Sequence, residues 1–255
     1  MPRAFAVFAH PDDIEFVAAG TLIRLRDVGY EIHYMNVADG CCGSTQYDRE
    51  TLAPMRREES QAACERIGAI FHDSIAHDMD VFYDRETLAR MAAVMREVAP
   101  EIVLTHAPHD YMEDHMNTCR LAVTAAFARG MPNFPTEPAM AINDQSVTVY
   151  HAQPHGNCDP LGNPIRPQLC VDVGDLLDEK AAMLECHISQ KRWLDESQGL
   201  DSYTQTMRDL MRDVGRISEH FEYAEGWRKH LHLGFCSADS DPLFTSLERW
   251  CIRLQ

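Results

Sequence analysis

The segment Phe5-Ala6-Val7-Phe8-Ala9-His10-Pro11-Asp12-Asp13-Ile14-Glu15 constrains the fold more than any other part of the chain. An apolar run, read as a buried strand, stops at a histidine, a proline and two adjacent carboxylates. Ile14, Val17, Ala18, Leu22, Leu25 and Val28 then recur at helical spacing, and Gly29 ends the run. Open α/β sheets bind ligands beyond the carboxyl ends of their strands. A strand that delivers His-Pro-Asp-Asp to that edge has placed acid–base and metal-binding groups where chemistry is expected. A lone aspartate there reads most simply as a helix cap; the four residues together do not.

Strands and helical patterns alternate downstream. Glu31 to Val37 reads as a second strand, about Pro54 to Ile67 as a helix, and Ile70-Phe71 as a short strand. A helix through Leu88, Met91 and Met95 stops at Pro100. A buried strand at Ile102–Leu104 follows, and then a helix from Thr118 to Arg129. The alternation predicts an α/β fold, a Rossmann-like, doubly wound, mostly parallel sheet with helices on both faces. The 255 residues fit one such domain, 1–255. Seven of the chain's 13 prolines fall between Pro132 and Pro167, so 131–170 is expected to be an irregular loop region, with a strand at Val147–Tyr150. Leu169 to Val173 reads as a strand. Helices are expected from about Asp175 to Trp193 and from about Leu200 to Lys229. The tail, 231–255, carries no clear pattern.

A net charge of −17, from 40 acids against 23 bases, disfavours nucleic acid and anionic membrane as partners. No stretch approaches the roughly 20 apolar residues that span a bilayer, and no signal peptide is expected ahead of the first strand. Nine cysteines without a C-x-x-C pair argue against a zinc ribbon or a disulfide framework. They fit reduced thiols in a cytoplasmic protein. Cys41-Cys42 stands apart because it follows Asp39-Gly40 in a loop.

The second polar cluster, His106-Ala-Pro-His109-Asp110-Tyr111-Met112-Glu113-Asp114-His115, also follows an apolar strand. The two clusters should therefore meet at one sheet edge, with His10, Asp13 and His115 as metal ligands. Two imidazoles and one carboxylate, with a position left for water, is a catalytic zinc set, and it also suits iron(II). Asp12, adjacent but diverging, is expected to take a proton as the general base. Zn2+ is the expected cofactor, with Fe2+ as the alternative.

These residues resemble the PIG-L (LmbE-like) zinc-dependent N-deacetylases. The likeness rests on His10 to Glu15, Ala38-Asp39-Gly40 with Gly43-Ser44, and Arg56-x-x-Glu59 with Gly68. It continues through Asp110 with Asp114-His115, Lys180 with His187-Ile188-Ser189-Gln190, and Ala224 to Arg228. It runs in order over roughly residues 4 to 230. The resemblance implies metal-assisted removal of an N-acetyl group from an N-acetylglucosamine-type amino sugar or its conjugate. It implies the same roles for His10, Asp13, His115 and Asp12, a substrate-holding role for Arg56, and assembly into trimers or hexamers.

One departure stands out. Where the family commonly has a histidine that steadies the oxyanion, this chain has Met112, which donates no hydrogen bond. His106, His109, Tyr111 and His187 are candidate replacements, with His187 favoured as a catalytic residue and His109 and Tyr111 as substrate-binding residues. His151 and His155, around Gln153-Pro154, are candidates for lining the substrate pocket. Trp193, Tyr203 and Trp227 are expected in a core or interface, with a sugar-stacking face as the alternative. The rival functions are cleavage of another amide, such as a thiol conjugate or a non-sugar N-acyl group, and metal binding without turnover. A nucleotide-binding reading lacks the G-x-G-x-x-G turn after the first strand.

Overall fold

A computed structural model describes residues 1–191, 193 and 203–254. Its centre is an eight-stranded sheet of β1 (Arg3–Phe8), β2 (Glu31–Asn36), β3 (Ile70–His72), β4 (Ile102–Thr105), β5 (Thr148–Ala152), β6 (Leu169–Asp172), β7 (Ala224–Lys229) and β8 (Cys251–Arg253). The strand order is β3-β2-β1-β4-β5-β7-β6-β8. The first five of these are mutually parallel. β7 runs antiparallel to both β5 and β6, and β8 antiparallel to β6. The sheet is mostly parallel, as the alternating pattern predicts.

The strands are apolar at consecutive positions because both faces are covered. Phe5, Val7, Met35, Val103 and Val149 pack on one face against α4 (Arg85–Val98) and α5 (Glu113–Ala128). Ala4, Ala6, Phe8, Ile32, Tyr34, Leu104 and Tyr150 pack on the other. There they meet α1 (Asp13–Val17), α2 (Ala19–Asp27), α3 (Arg49–Arg66), α6 (Leu177–Leu184) and α7 (Tyr203–Ser218). A short α8 (Pro242–Leu247) precedes β8. Among the described residues no helix is long and apolar enough to cross a membrane.

Several elements differ from the sequence expectation. The helix expected from about Asp175 to Trp193 is interrupted: α6 ends at Leu184, and a turn follows before residues 188–191 resume helix. α3 begins at Arg49 rather than near Pro54, because the Asp48 side chain accepts from Thr51 N–H and caps an earlier turn. α5 begins at Glu113 rather than Thr118. Its first turn is acidic and polar, which suits a helix N-terminus but hides it from a search for apolar periodicity.

The helix expected to reach Lys229 ends at Ser218, and Ala224–Lys229 is a strand inserted between β5 and β6; residues 200–202 lie outside those described. The strand was hidden because its inward face is partly ionic. Glu225 is sealed from solvent and accepts from Gly20 N–H at 2.9 Å and Thr21 N–H at 2.6 Å, satisfying orphan amides in the first turn of α2. Lys180, equally buried, pairs with the same carboxylate. Trp227 Nε1 donates to Thr21 Oγ1 at 2.9 Å. The lysine and the late Ala-Glu pair thus hold the sheet to α2 and α6. Glu225→Ala strands a buried ammonium, so a loss of about 3–5 kcal/mol is expected in a urea melt.

Candidate active site

The site forms where β1, β2 and β4 end. β1 leads into His10-Pro11-Asp12-Asp13, and Asn36 Nδ2, at the end of β2, donates to His10 O at 2.7 Å. Asp12 takes a left-handed conformation with φ of 102°, so its side chain and that of Asp13 leave the turn in different directions. Asp13 Oδ2 accepts from His10 N–H at 2.7 Å. The end of β4 supplies His106, and the first turn of α5 supplies Asp114 and His115.

Donor atoms of His10, Asp13 and His115 all lie within 4.8 Å of one another. Asp13 Oδ2 is 3.4 Å from His10 Nδ1 and 3.5 Å from His115 Nε2. Ligands on a tetrahedral zinc at bond lengths near 2.0–2.1 Å stand about 3.3–3.5 Å apart. The far nitrogen of each ring meets a second carboxylate: His10 Nε2 lies 3.0 Å from Asp114 Oδ2, and His115 Nδ1 lies 2.9 Å from Asp110 Oδ1. Carboxylates on the outer nitrogens fix the tautomer of metal-binding histidines. The donor set therefore fits a divalent cation, with His10 Nδ1, His115 Nε2 and Asp13 Oδ2 as the atoms that could hold it. The pair of carboxylates around His10 outweighs its burial and lifts it to about 10. Burial alone would raise Asp13; His115, with His10, holds it well below the usual carboxylate range instead. Such a centre stabilises added positive charge.

His106 is not a further donor of this kind. Its Nε2 accepts from Ala9 N–H at 2.9 Å, and its ring stacks on His115 with centroids 4.0 Å apart. Burial, with His115 adjoining, pushes it down to about 4, so it stands as a neutral, oriented wall.

Asp12 sits beside this centre but outside it. Tyr203 Oη donates to Asp12 Oδ2, and Arg56 Nη2 lies 4.0 Å from the same oxygen. Burial raises the Asp12 carboxyl; Arg56 opposes that rise. Arg56 is itself 2% exposed, donates to Pro11 O at 2.6 Å and also reaches Gln190. It is not a surface residue paired with Glu59. Glu59 instead accepts from Ser189 N–H at 2.8 Å and Ser189 Oγ at 2.6 Å. Tyr203 is the residue that sequence reasoning missed. It lies 191 positions from Asp12, and nothing in its local pattern distinguishes it from core.

These groups line a cavity of about 570 Å³, within the usual range for small-molecule sites. Tyr111, Met112, Gln153 and His155 are on its wall. Tyr111 is 60% exposed and sets its ring edge-on to His115 at 5.5 Å. Burial of its hydroxyl, with Asp13 close by, raises the phenol, which keeps it a donor.

Three expected site residues stand elsewhere. His187 is fully buried, 3.3 Å from Glu15 Oε2, and does not line the cavity; it packs behind α1, out of reach of a leaving group. His151 is buried between His106 O and His230 Nδ1, 2.9 Å from each, and is part of the scaffold. His109 is exposed and also off the cavity wall. Its neighbour in the cluster, Tyr111, borders the cavity instead.

A Rossmann-like α/β sheet with a histidine–carboxylate centre at its carboxyl edge is the class this fold and site define. A family model described as PIG-L: GlcNAc-PI de-N-acetylase matches residues 5–127 of this chain. The chain is 27% identical over 239 residues to a diacetylchitobiose deacetylase of Thermococcus kodakarensis, covering 89% of this chain and 82% of the relative. It is 29% identical over 238 residues to a 4-oxalmesaconate hydratase of Pseudomonas putida, covering 88% and 87%. In fold it resembles the N,N'-diacetylchitobiose deacetylase of Pyrococcus horikoshii, with a TM-score of 0.76 at 23% identity over 91% of this chain and 84% of that one.

Proposed function

We propose that the protein is a zinc-dependent deacetylase that removes the acetyl group from an N-acetylglucosamine-type sugar or a conjugate of one. The observation that carries this reading is the position of Asp12: next to the His10, Asp13 and His115 donors, yet turned aside and held by Tyr203. A binding site needs no such spare carboxylate. A cation held there supplies Lewis acidity, polarising an acetyl carbonyl and making a water acidic. Asp12 takes the proton of the attacking water on Oδ1, since Tyr203 and Arg56 both face Oδ2. The same carboxyl then returns a proton to the departing amine, in the role first expected of His187. Tyr111 donates to the developing oxyanion in place of the histidine that Met112 replaces. Arg56 and Gln190 fix the turn that presents Asp12 and border the cavity, which gives Arg56 a place at the substrate's edge.

The hydratase relative supports a second reading, because addition of water to a double bond and hydrolysis of an amide both begin with an activated water. The two are separated by product. Purified protein loaded with zinc is offered N-acetylglucosamine, diacetylchitobiose and conjugated enoic diacids; free amine and acetate are assayed for the first two, and loss of ultraviolet absorbance for the last. Amine release that is abolished by a chelator and restored by zinc is expected. Absorbance loss without amine release overturns the deacetylase reading in favour of the hydratase. A cytoplasmic setting accords with nine unpaired cysteines, and a trimer or hexamer is the assembly that the family likeness favours.

A further inference from the structure

The loop after β2 and the loop after β3 lie side by side on the rim of the cavity. Ile75 N–H and Ala76 N–H both donate to Val37 O at 3.0 Å, Ser74 Oγ donates to Ala38 O at 3.1 Å, and Ala38 and Ala76 form a parallel bridge. Three donors of different chemistry gather at this seam. Oxygen of Asp39, sulfur of Cys41 and nitrogen of His77 all lie within 4.8 Å of one another. We propose that Asp39, Cys41 and His77 form a second metal site, for a thiophilic divalent cation of the zinc type, separate from the His10, Asp13 and His115 centre.

The set is preorganised. Asp39 Oδ1 accepts from Cys41 N–H at 3.1 Å, which orients the carboxylate, while Oδ2 meets His77 Nδ1. The Cys41 side chain is buried and the His77 side chain is 64% exposed, so an ion enters from the solvent side and meets the sulfur last. Zinc ligands stand about 3.3–3.8 Å apart for bond lengths of 2.0–2.3 Å, so Asp39 Oδ2 and His77 Nδ1, now 2.5 Å apart, part to admit the ion, with the Cys41 sulfur already in reach. Thiolate with imidazole selects against magnesium and calcium, which take oxygen. Donor atoms of Cys41, Cys42 and Asp78 also lie within 4.8 Å of one another. Asp78, however, already accepts Gly40 N–H at 2.7 Å and Cys42 N–H at 2.9 Å, one on each oxygen. It is spent on shaping the loop.

The site has a physical link to catalysis. Gly40, Cys42, Asp78 and Met79 border the cavity. Met79 N–H donates to Asp114 Oδ2 at 2.8 Å, the oxygen that also meets His10 Nε2. A cation joining Asp39 to His77 therefore ties together the two loops that shape the rim and steadies the carboxylate behind His10.

Cobalt(II) distinguishes the sites, because the catalytic centre offers only nitrogen and oxygen. Full-length protein stripped of metal and titrated with cobalt is expected to bind two equivalents, one of which brings the thiolate-to-cobalt charge-transfer absorption in the near ultraviolet. Cys41→Ser and His77→Ala should each lose that absorption and one equivalent, and Cys42→Ser should keep both. His77 is exposed and serine is nearly isosteric with cysteine, so the folds should survive, as circular dichroism will show. No charge-transfer band in the unaltered protein, a band that survives Cys41→Ser, or one lost in Cys42→Ser overturns the assignment. None of these readouts depends on the deacetylase reading.

Discussion

Asp12→Asn is expected to lower kcat by about 10²–10⁴-fold, the usual worth of a positioned acid–base group, with zinc content and thermal stability unchanged. The backbone makes this substitution unusually clean. Asp12 holds a φ of 102°, a conformation that asparagine tolerates better than other non-glycine residues. An alanine there confounds loss of chemistry with strain. Asparagine also keeps an oxygen to accept from Tyr203, so the pocket wall is preserved and only the ability to take a proton is lost. Tyr203→Phe removes one hydrogen bond to the same oxygen and is expected to cost far less, about tenfold. The measurement is steady-state deacetylation with zinc stoichiometry determined on the same samples. An Asp12→Asn enzyme within tenfold of the parent contradicts the base assignment, whatever the substrate proves to be.

The residues of the centre were legible because they sit at the ends of two apolar strands, and strand ends are the best-marked positions in a parallel sheet. His10, Asp12 and Asp13 follow β1 directly, and His115 follows β4 after ten residues, so their convergence required only the sheet order. What stayed hidden depends on contacts that no local pattern encodes. Tyr203 reaches Asp12 from α7 with ordinary helical spacing around it. His187 carries a family-like motif, but whether its ring faces the cavity or the back of α1 is decided by how α6 packs on α3. β7 was hidden because its buried face holds Glu225 beside Trp227, and a charged residue in a strand interior reads as surface until its partner Lys180 is located. Asp110 and Asp114 were visible as part of a motif; that each grips the far nitrogen of a different imidazole is a fact of three dimensions.

That last arrangement grades the second large effect. Asp13→Ala is expected to abolish zinc binding at the catalytic centre and to reduce deacetylation below detection. Asp13 Oδ2 is the atom that both His10 Nδ1 and His115 Nε2 face, and it contributes the only carboxylate among the three converging donors. Without it, two imidazoles remain, one fewer protein ligand than a catalytic zinc site has. Asp114→Asn and Asp110→Asn leave all three donors in place but weaken the hold on one ring each, so each should lose only about 10–100-fold in zinc affinity. Asp114→Asn also meets the Met79 amide with a neutral oxygen in place of a charged one, and the larger of the two losses is expected there. Competition titrations against a chelator, with histidine-ligated cobalt followed by its visible absorption, measure all three variants on one scale. The order of affinity predicted is parent, then Asp110→Asn, then Asp114→Asn, with Asp13→Ala beyond the range of the assay. An Asp13→Ala protein that still takes up sulfur-free cobalt stoichiometrically places the ion elsewhere, and the arrangement of carboxylates behind His10 and His115 must then serve the fold alone.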